Sequence, residues 1–369
     1  MKAILAGGGT AGHVFPALAL GRELADRGVD VEFIGTATGP EARIVPEAGL
    51  RFSKVDAIPV AGTRSLRIVA LPWKLLRSIR SCVPLVESAD VVVGMGGYVS
   101  VPAVAAGVRL RRPVVLHEQN SVPGLANRWL ARPARTVALS FAETARSFPR
   151  RVRTVTTGNP VREEIASVPE KRALLAKEAL RELDLEEGRS TVLVFGGSQG
   201  ARRLNQAAAG ATALLRNRGD LQLVIIAGPA NLDAVEGSVD RSGALRVRVL
   251  PFVDRMEVAF AAADLVISRS GATTVAELTC CGLPAVLIPY PHHKDRQQEL
   301  NARILQRAGA AEVLADEDLT PELFAGRVND LLGDRDRLSA MAARAASLGR
   351  PDAAARLADA VEAAAGSDR

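Results

Sequence analysis

The chain has 369 residues, 48% of them hydrophobic and 24% charged, the mixture of a globular protein that can bury sizeable cores. This excludes a disordered, collagenous or disulfide-stapled chain, and the length fits two or three domains at roughly 150 residues each. Lysine and arginine number 47 against 41 acidic residues, a net charge of +6. Such a balance favours an anionic partner, whether phosphorylated small molecule, acidic lipid or nucleic acid, although ordinary solubility charge explains it equally well. Aromatic residues at 4% speak against single-strand nucleic-acid binding by base stacking. Three cysteines, Cys82, Cys280 and Cys281, fit a reducing compartment and match no zinc spacing.

The opening MKAILAGGGT gives only a short apolar run before glycines, so no signal peptide is expected. The longest charge-free stretch, Val91 to Val108, is interrupted by Gly94, Gly96, Gly97, Ser100, Pro102 and Gly107. It reads as a buried strand and a glycine turn rather than a membrane span. Buried strands are predicted at Ala3–Ala6, Val31–Ile34, Val91–Val93 and Val114–Leu116, with a helix over Phe15–Arg27. After a Pro/Arg-rich crossing from Pro149 to Pro160 the pattern resumes at Thr191–Phe195, Leu223–Ala227, Leu265–Ser268 and Ala285–Ile288.

Such runs are typical of parallel strands covered on both faces. Two doubly wound α/β domains are therefore expected, 1–162 and 163–350, with an Ala-rich helix at about 351–365 crossing back to the first. Each half opens on strand, glycine loop and helix: AILAGGGTAGHVFPALAL, then TVLVFGGSQGARRLNQAA. Ligands of these sheets bind at the carboxyl ends of the strands, which predicts a site in a cleft between two facing domains.

Gly7-Gly8-Gly9-Thr10-Ala11-Gly12 fits the G-x-G-x-x-G pattern that packs backbone against a pyrophosphate. A dinucleotide site also needs an acid closing the second strand. Glu32 has nearly that offset, but the strand runs on to Gly35-Thr36; a nicotinamide oxidoreductase is the alternative reading. A tight turn without ligand would use the same glycines. His13 follows at a helix start, where the helix dipole disfavours imidazolium, so it should stay neutral and able to accept a proton. His117-Glu118-Gln119-Asn120 follows a buried strand, where four polar groups must face a cavity or bond one another.

Gly196-Gly197-Ser198-Gln199-Gly200 lacks the P-loop lysine but can offer N–H groups and the Ser198 hydroxyl to a phosphate or sugar. Ser268-Arg269-Ser270-Gly271-Ala272-Thr273-Thr274 leads into Val275-Ala276-Glu277, a second helix N-terminus suited to a diphosphate. Glu277 could accept from ribose hydroxyls, or simply complement the helix dipole. Gln297 and Gln298, after His292-His293-Lys294-Asp295-Arg296, offer a hydrogen-bonding platform for sugar hydroxyls, although such a charge run also serves as a solvated face. The adjacent histidines lack metal spacing. Asp316-Glu317-Asp318 and Asp334-Arg335-Asp336 read as solvated faces.

Pro72 to Val83 reads as a short helix ending before Pro84, with Leu75, Leu76, Ile79 and Val83 on one face and Lys74, Arg77 and Arg80 on the other. Trp73 falls on the basic side. This face suits an anionic membrane surface, while ordinary packing on the domain's own sheet explains the apolar side as well.

Taken in order, GGGTAGHVFPALAL, GMGGYVSVPA, VLHEQNSVPGLANRWLA, TGNPVR, GGSQGARRLN, SRSGATTVAEL, GLPAVLIPYP and HHKDRQQELNA resemble the MurG family of GT-B glycosyltransferases, in family 28. The resemblance covers Gly7 to about Ala311 and implies two Rossmann-like domains facing across a cleft. It implies inverting transfer of N-acetylglucosamine from UDP-N-acetylglucosamine to the 4-hydroxyl of the muramoyl sugar of undecaprenyl-pyrophosphoryl-N-acetylmuramoyl-pentapeptide, lipid I. The product would be lipid II, for peptidoglycan synthesis.

Carried over residue by residue, the resemblance gives Thr10, Ala11 and Gly12 to the first glycine loop near sugar and diphosphate. It gives Asn120, Gln298 and, with a loop one residue longer than in some relatives, Gln297 to the donor sugar. Arg162 and Ser198 would hold the nucleotide or its phosphates, and Val253 would recognise uracil through its backbone. Ala272, Thr273, Thr274, Val275, Ala276 and Glu277 would wrap diphosphate and ribose. Ala11 stands where many members have glycine, which requires a negative φ there. His13 is the first candidate for the base and Glu118 the alternative. No cofactor and no obligate metal are implied. The expected place of action is the cytoplasmic face of the bacterial plasma membrane, beside other cell-wall synthesis and division proteins. A transferase acting on another lipid or a natural product shares the C-terminal motifs; HEQN and GMGGYVS separate this chain from those.

Overall fold

The computed structural model describes residues 1–57, 71–197, 201–292 and 295–366. They form two compact units, one of residues 1–162 with 350–369 and one of residues 163–349.

The first unit is built on β1 (Lys2–Ala6), β2 (Asp30–Gly35), β3 (Arg51–Lys54), β4 (Val91–Gly94), β5 (Val114–Glu118), β6 (Thr136–Leu139) and β7 (Thr154–Thr156). They pair in parallel in the order β3-β2-β1-β4-β5-β6-β7. Successive residues of a strand face opposite sides, and both sides are covered, which is why these strands are continuous apolar runs. On one side Leu5, Phe33 and Val93 pack with Val14, Leu18 and Leu24 of the helix Ala11–Asp26, and with Leu357 and Val361 of the last helix, Ala353–Gly366. On the other, Ile4, Ile34, Val92 and Leu116 pack with Cys82 and Val86 of Leu71–Glu87 and Val104 of Ser100–Arg109. Arg27 ties the first helix to the last through Asp359 at 2.7 Å and Glu362 at 2.9 Å.

The second unit carries β8 (Ser190–Phe195), β9 (Leu221–Ile226), β10 (Arg246–Leu250), β11 (Leu265–Ser268), β12 (Ala285–Leu287) and β13 (Ala311–Val313), parallel throughout in the order β10-β9-β8-β11-β12-β13. Its core holds Val194, Ile225, Ile267 and Val286, with Leu204, Phe324 and Val328 from the covering helices.

The structure corrects the sequence reading in three places. β3, β6, β7, β10 and β13 are strands where none was predicted. Four of them lie at sheet margins, where one side of the strand has no neighbour. β5 extends through His117 and Glu118, so both side chains leave from the strand itself. The helix Leu71–Glu87 runs through Pro84: the exposed flank there lets water take the carbonyl that the missing proline N–H would have bonded.

The last helix belongs to the first unit's core, so Leu357→Ala should cost about 2–5 kcal/mol by cavity formation. A lower urea midpoint in chemical denaturation is the expected result; an unchanged midpoint would contradict that packing.

Candidate functional site

In the first unit the glycine loop after β1 is held from below by a carboxylate. Glu41, fully buried, opens the short helix Glu41–Glu47. Its Oε2 accepts from Gly9 N at 3.1 Å, and its Oε1 accepts from Thr36 N at 3.0 Å and Thr36 Oγ1 at 2.6 Å. A Cβ on Gly8 would collide with this carboxyl group, and one on Gly9, where φ is +82°, would meet the Tyr98 ring. Both glycines are therefore required by close approach. Ala11 is the first residue of its helix and is absent from the positive-φ residues, so alanine fits there.

Thr10 occupies the N-cap of that helix but makes no capping bond. Its Oγ1 lies 2.9 Å from His13 Nδ1 instead. The imidazole rests against the turn after β4: a Cβ on Gly96 (φ +91°) would come within 2.9 Å of His13 Cδ2. Burial pushes the His13 pKa down to about 4, against the opposing negative charge of Glu41. The ring is thus a neutral base at ordinary pH, held between two glycine turns.

The tetrad at the end of β5 is tightly knit. Glu118 is buried, and both of its oxygens accept from its own loop: Oε1 from Asn120 N at 2.9 Å, Oε2 from Gly124 N at 3.1 Å and Asn127 Nδ2 at 2.8 Å. Burial raises its pKa and those bonds oppose the rise. Gln119 Nε2 donates to Met95 O at 3.2 Å, joining this loop to the one after β4. His117 Nε2 sits 3.2 Å from Gly158 O, and burial pushes this ring also down to about 4. Arg162 stacks over Phe15 of the first helix, its guanidinium carbon 4.6 Å from the ring centre.

The acid sought for a dinucleotide site is not in the expected role. Glu32, on β2, is engaged by the strands on either side, with Lys2 of β1 at 2.9 Å and Ser53 of β3 at 2.6 Å. The acid nearest the glycine loop, Glu41, faces inward to Gly9 N. Neither is presented to a ribose, and the nicotinamide reading gains no support.

In the second unit, Gly271 is the N-cap of the helix Ala272–Cys280 and brings no side chain of its own to the first N–H groups, and a Cβ there would meet nothing closer than Thr274 Oγ1 at 3.9 Å. Open space therefore lies before the positive end of the helix, flanked by Thr273 and Thr274. Val275, Ala276 and Glu277 follow within the helix; Val275 is buried and the other two partly so. Gln297 and Gln298 open the helix Gln297–Ala308 behind Arg296, whose φ is +50°. Gln298 Oε1 accepts from Tyr290 N at 2.9 Å, and Gln297 Nε2 donates to Asp295 Oδ2 at 2.9 Å. Val253 is buried after β10, beside an exposed Phe252. Ser198 lies outside the described residues, as do His293 and Lys294.

Asp316 is a correction. The sequence reads as a solvated face there, yet the carboxylate pairs at 2.6 Å with Arg269, itself buried and donating to Ile288 O at 3.0 Å and Pro289 O at 3.2 Å. The second acidic string does sit on the surface; Asp334 caps its helix through Arg337 N at 2.9 Å.

On the helix Leu71–Glu87, Ser78, Cys82 and Val86 form the buried line, with Ile79 and Val83 beside it. Leu75 and Leu76, read from the sequence as sharing the core face, stand exposed beside Lys74, Arg77, Arg80 and a Trp73 that is 75% exposed. Trp73 to Arg77 precede the buried line, in the N-terminal half of the helix.

Residues 3–139 match the glycosyltransferase family 28 N-terminal domain, and residues 191–357 the family 28 C-terminal domain. The chain belongs to glycosyltransferase family 28. Among its relatives, the UDP-N-acetylglucosamine–N-acetylmuramyl-(pentapeptide) pyrophosphoryl-undecaprenol N-acetylglucosamine transferase of Syntrophotalea carbinolica is 41% identical over 97% of both chains. The protein of the same name from Mycobacterium avium is 43% identical over 98% of this chain and 88% of its own. The crystal structure of Acinetobacter baumannii MurG superposes with a TM-score of 0.77 at 32% identity, covering 98% of this chain and 99% of that one. The calicheamicin glycosyltransferase CalG4, at 18% identity and a TM-score of 0.67, shares the fold. The architecture is GT-B, two doubly wound parallel-sheet domains, as the sequence leads one to expect.

Sequence reasoning missed Glu41, Tyr98, Asn127, Arg269 and Phe252. Glu41 and Asn127 act through contacts that only the folded loops create. Tyr98 lay within a quoted motif without a role, and Arg269 carried a signal as a lone cation among small residues at a strand end.

The two buried, neutral imidazoles have a consequence for folding. His117 titrates near 4 in the folded chain and near 6.5 when unfolded. As pH falls below 6.5 the unfolded chain takes up the proton first, so stability is full above 6.5 and declines towards 4, by on the order of 3 kcal/mol for such a group. Urea midpoints measured from pH 8 to pH 4 should fall through that window, and less steeply in His117→Gln.

Proposed function

We infer that this chain transfers N-acetylglucosamine from UDP-N-acetylglucosamine to the 4-hydroxyl of the muramoyl sugar of lipid I, with inversion, giving lipid II for peptidoglycan synthesis. The observation that carries this is full-length similarity: 41% identity over 97% of both chains with a transferase of that name.

The second unit takes the donor. The helix N-terminus at Gly271 to Thr274 stabilises the leaving diphosphate, whose charge grows as the glycosidic bond breaks. Ala272, Val275, Ala276 and Glu277 line the diphosphate and ribose. The Val253 backbone reads uracil, and Phe252 offers an aromatic face beside it. Gln297, Gln298, Asn120, Ser198 and Arg162 complete the grip on sugar and phosphates, with Thr10, Ala11 and Gly12 forming the first glycine loop.

The first unit supplies the base. In the tautomer with Nδ1–H donating to Thr10 Oγ1, His13 Nε2 keeps its lone pair. The acceptor oxygen bonds to the anomeric carbon as the bond to the UDP oxygen breaks, and its proton passes to His13 Nε2. Glu118 is the alternative base, but both its oxygens already serve its own loop, which favours His13. His13→Ala should lower transfer of radiolabelled N-acetylglucosamine to a lipid I analogue by about 10²–10⁴; activity within tenfold of wild type would remove His13 from the role.

Charge supports action at an anionic membrane. The first unit carries 25 lysines and arginines against 15 acidic residues and the second 22 against 26. Trp73, Leu75 and Leu76 project from the basic end of Leu71–Glu87, and a second exposed group follows on the short helix Leu125–Leu130. There Leu125 and Trp129 are 75% and 70% exposed, with Arg132 over the Trp129 ring. Apolar tips among cations dock at anionic lipid headgroups. Among the described residues no helix is long and apolar enough to cross a membrane. On this reading the protein works peripherally at the cytoplasmic face of the membrane, beside other cell-wall synthesis and division proteins. Combining Trp73→Ala with Lys74, Arg77 and Arg80→Glu should weaken binding to anionic vesicles at least tenfold by co-sedimentation, with transfer to a water-soluble acceptor retained. Unchanged vesicle binding would contradict the docking face.

A further inference from the structure

We propose that Glu41 is a positioning residue for the reaction, holding the first glycine loop so that Thr10 and His13 stand in working register. The proposal rests on His13 being the base. The geometry is a short chain of contacts. Gly9 N donates to Glu41 Oε2 at 3.1 Å, Gly9 is followed by Thr10, and Thr10 Oγ1 meets His13 Nδ1 at 2.9 Å. The other carboxylate oxygen is fixed by Thr36 N and Oγ1, and Thr36 Oγ1 accepts in turn from Gly39 N at 3.1 Å. Glu41 thus ties the loop after β1 to the loop after β2.

Its oxygens accept and never donate, and the loop is packed against them so closely that Gly8, Gly35 and Gly39 leave no space for a Cβ. A buried carboxylate is costly unless bonded on both oxygens, and here both are. The charge also lies close enough to favour protonation of His13, so Glu41 sets the base's orientation and, in part, its basicity.

Glu41→Gln is nearly isosteric but has a single acceptor oxygen. With that oxygen on Thr36, the amide NH2 faces Gly9 N–H and the loop link is lost. The expected result is a kcat about 10–100-fold lower, the scale of a misplaced catalytic group. KM for UDP-N-acetylglucosamine should rise only by the few-fold expected from loosening Thr10, Ala11 and Gly12, and the acid limb of the kcat profile should move to lower pH because a neighbouring negative charge is gone. In a His13→Ala background the same change should alter kcat by less than about threefold, since coupled residues are non-additive. Thr36→Val, which loosens the carboxylate but keeps its charge, serves if Glu41→Gln folds poorly; it should lower kcat without moving the acid limb.

Equal losses in both backgrounds, or an acid limb that stays in place in Glu41→Gln, would make Glu41 merely structural and overturn the proposal. Full activity in Glu41→Gln beside loss in His13→Ala overturns the proposal alone. Loss in Glu41→Gln beside full activity in His13→Ala overturns the base assignment and the route through it.

Discussion

Parallel strand pairing is the constraint on which the rest depends. Every strand of each sheet runs the same way, so the loops leaving their carboxyl ends gather along one edge of the sheet, followed by helix N-termini. Backbone N–H groups and helix dipoles accumulate there without any special side chain. Apolar strands covered on both faces fix that edge firmly, and the chemistry is left to the few residues that leave it.

The two units use the same plan for different electrostatics. After β1 a glycine loop packs on an internal carboxylate: Gly9 N–H is spent on Glu41, and the next helix begins with a neutral imidazole. After β11 the helix begins at Gly271 with open space before it and no side-chain cap. The first arrangement suits proton transfer and the second suits an anion. On the proposed reading, the same strand-to-helix plan serves the base in one unit and the leaving group in the other.

Most of the fold was legible because the central strands are uninterrupted apolar runs such as Ile4-Leu5 and Val91-Val92-Val93, which few other structures accommodate. The marginal strands were not. Arg246 to Leu250 alternates arginine with valine, and Arg51 to Lys54 is half-exposed, because the faces of an edge strand are less fully covered and tolerate charge. Helix ends were similarly obscured, as at Pro84, where exposure forgives the lost N–H. Among site residues, glycines and hydroxyls were visible as motifs, and His13 by its place after the first loop. Glu41 was invisible because its importance comes from distant backbone brought beneath it. Asp316 was misread because its partner, Arg269, is 47 positions away and buried beneath Tyr290 in the folded chain.

The central claim is that backbone N–H groups at the Gly271 helix N-terminus receive the diphosphate. Titration calorimetry of the full chain with UDP tests it most directly when wild type is compared with Gly271→Asp. That backbone position, at φ −60° and ψ 150°, accepts any residue, and an aspartate there caps the same N–H groups with its own carboxylate. Saturable heat in wild type and at least tenfold weaker binding in the variant, with an equal or higher thermal midpoint, is the expected result. No heat with wild type, or equal affinity in both proteins, would contradict the account.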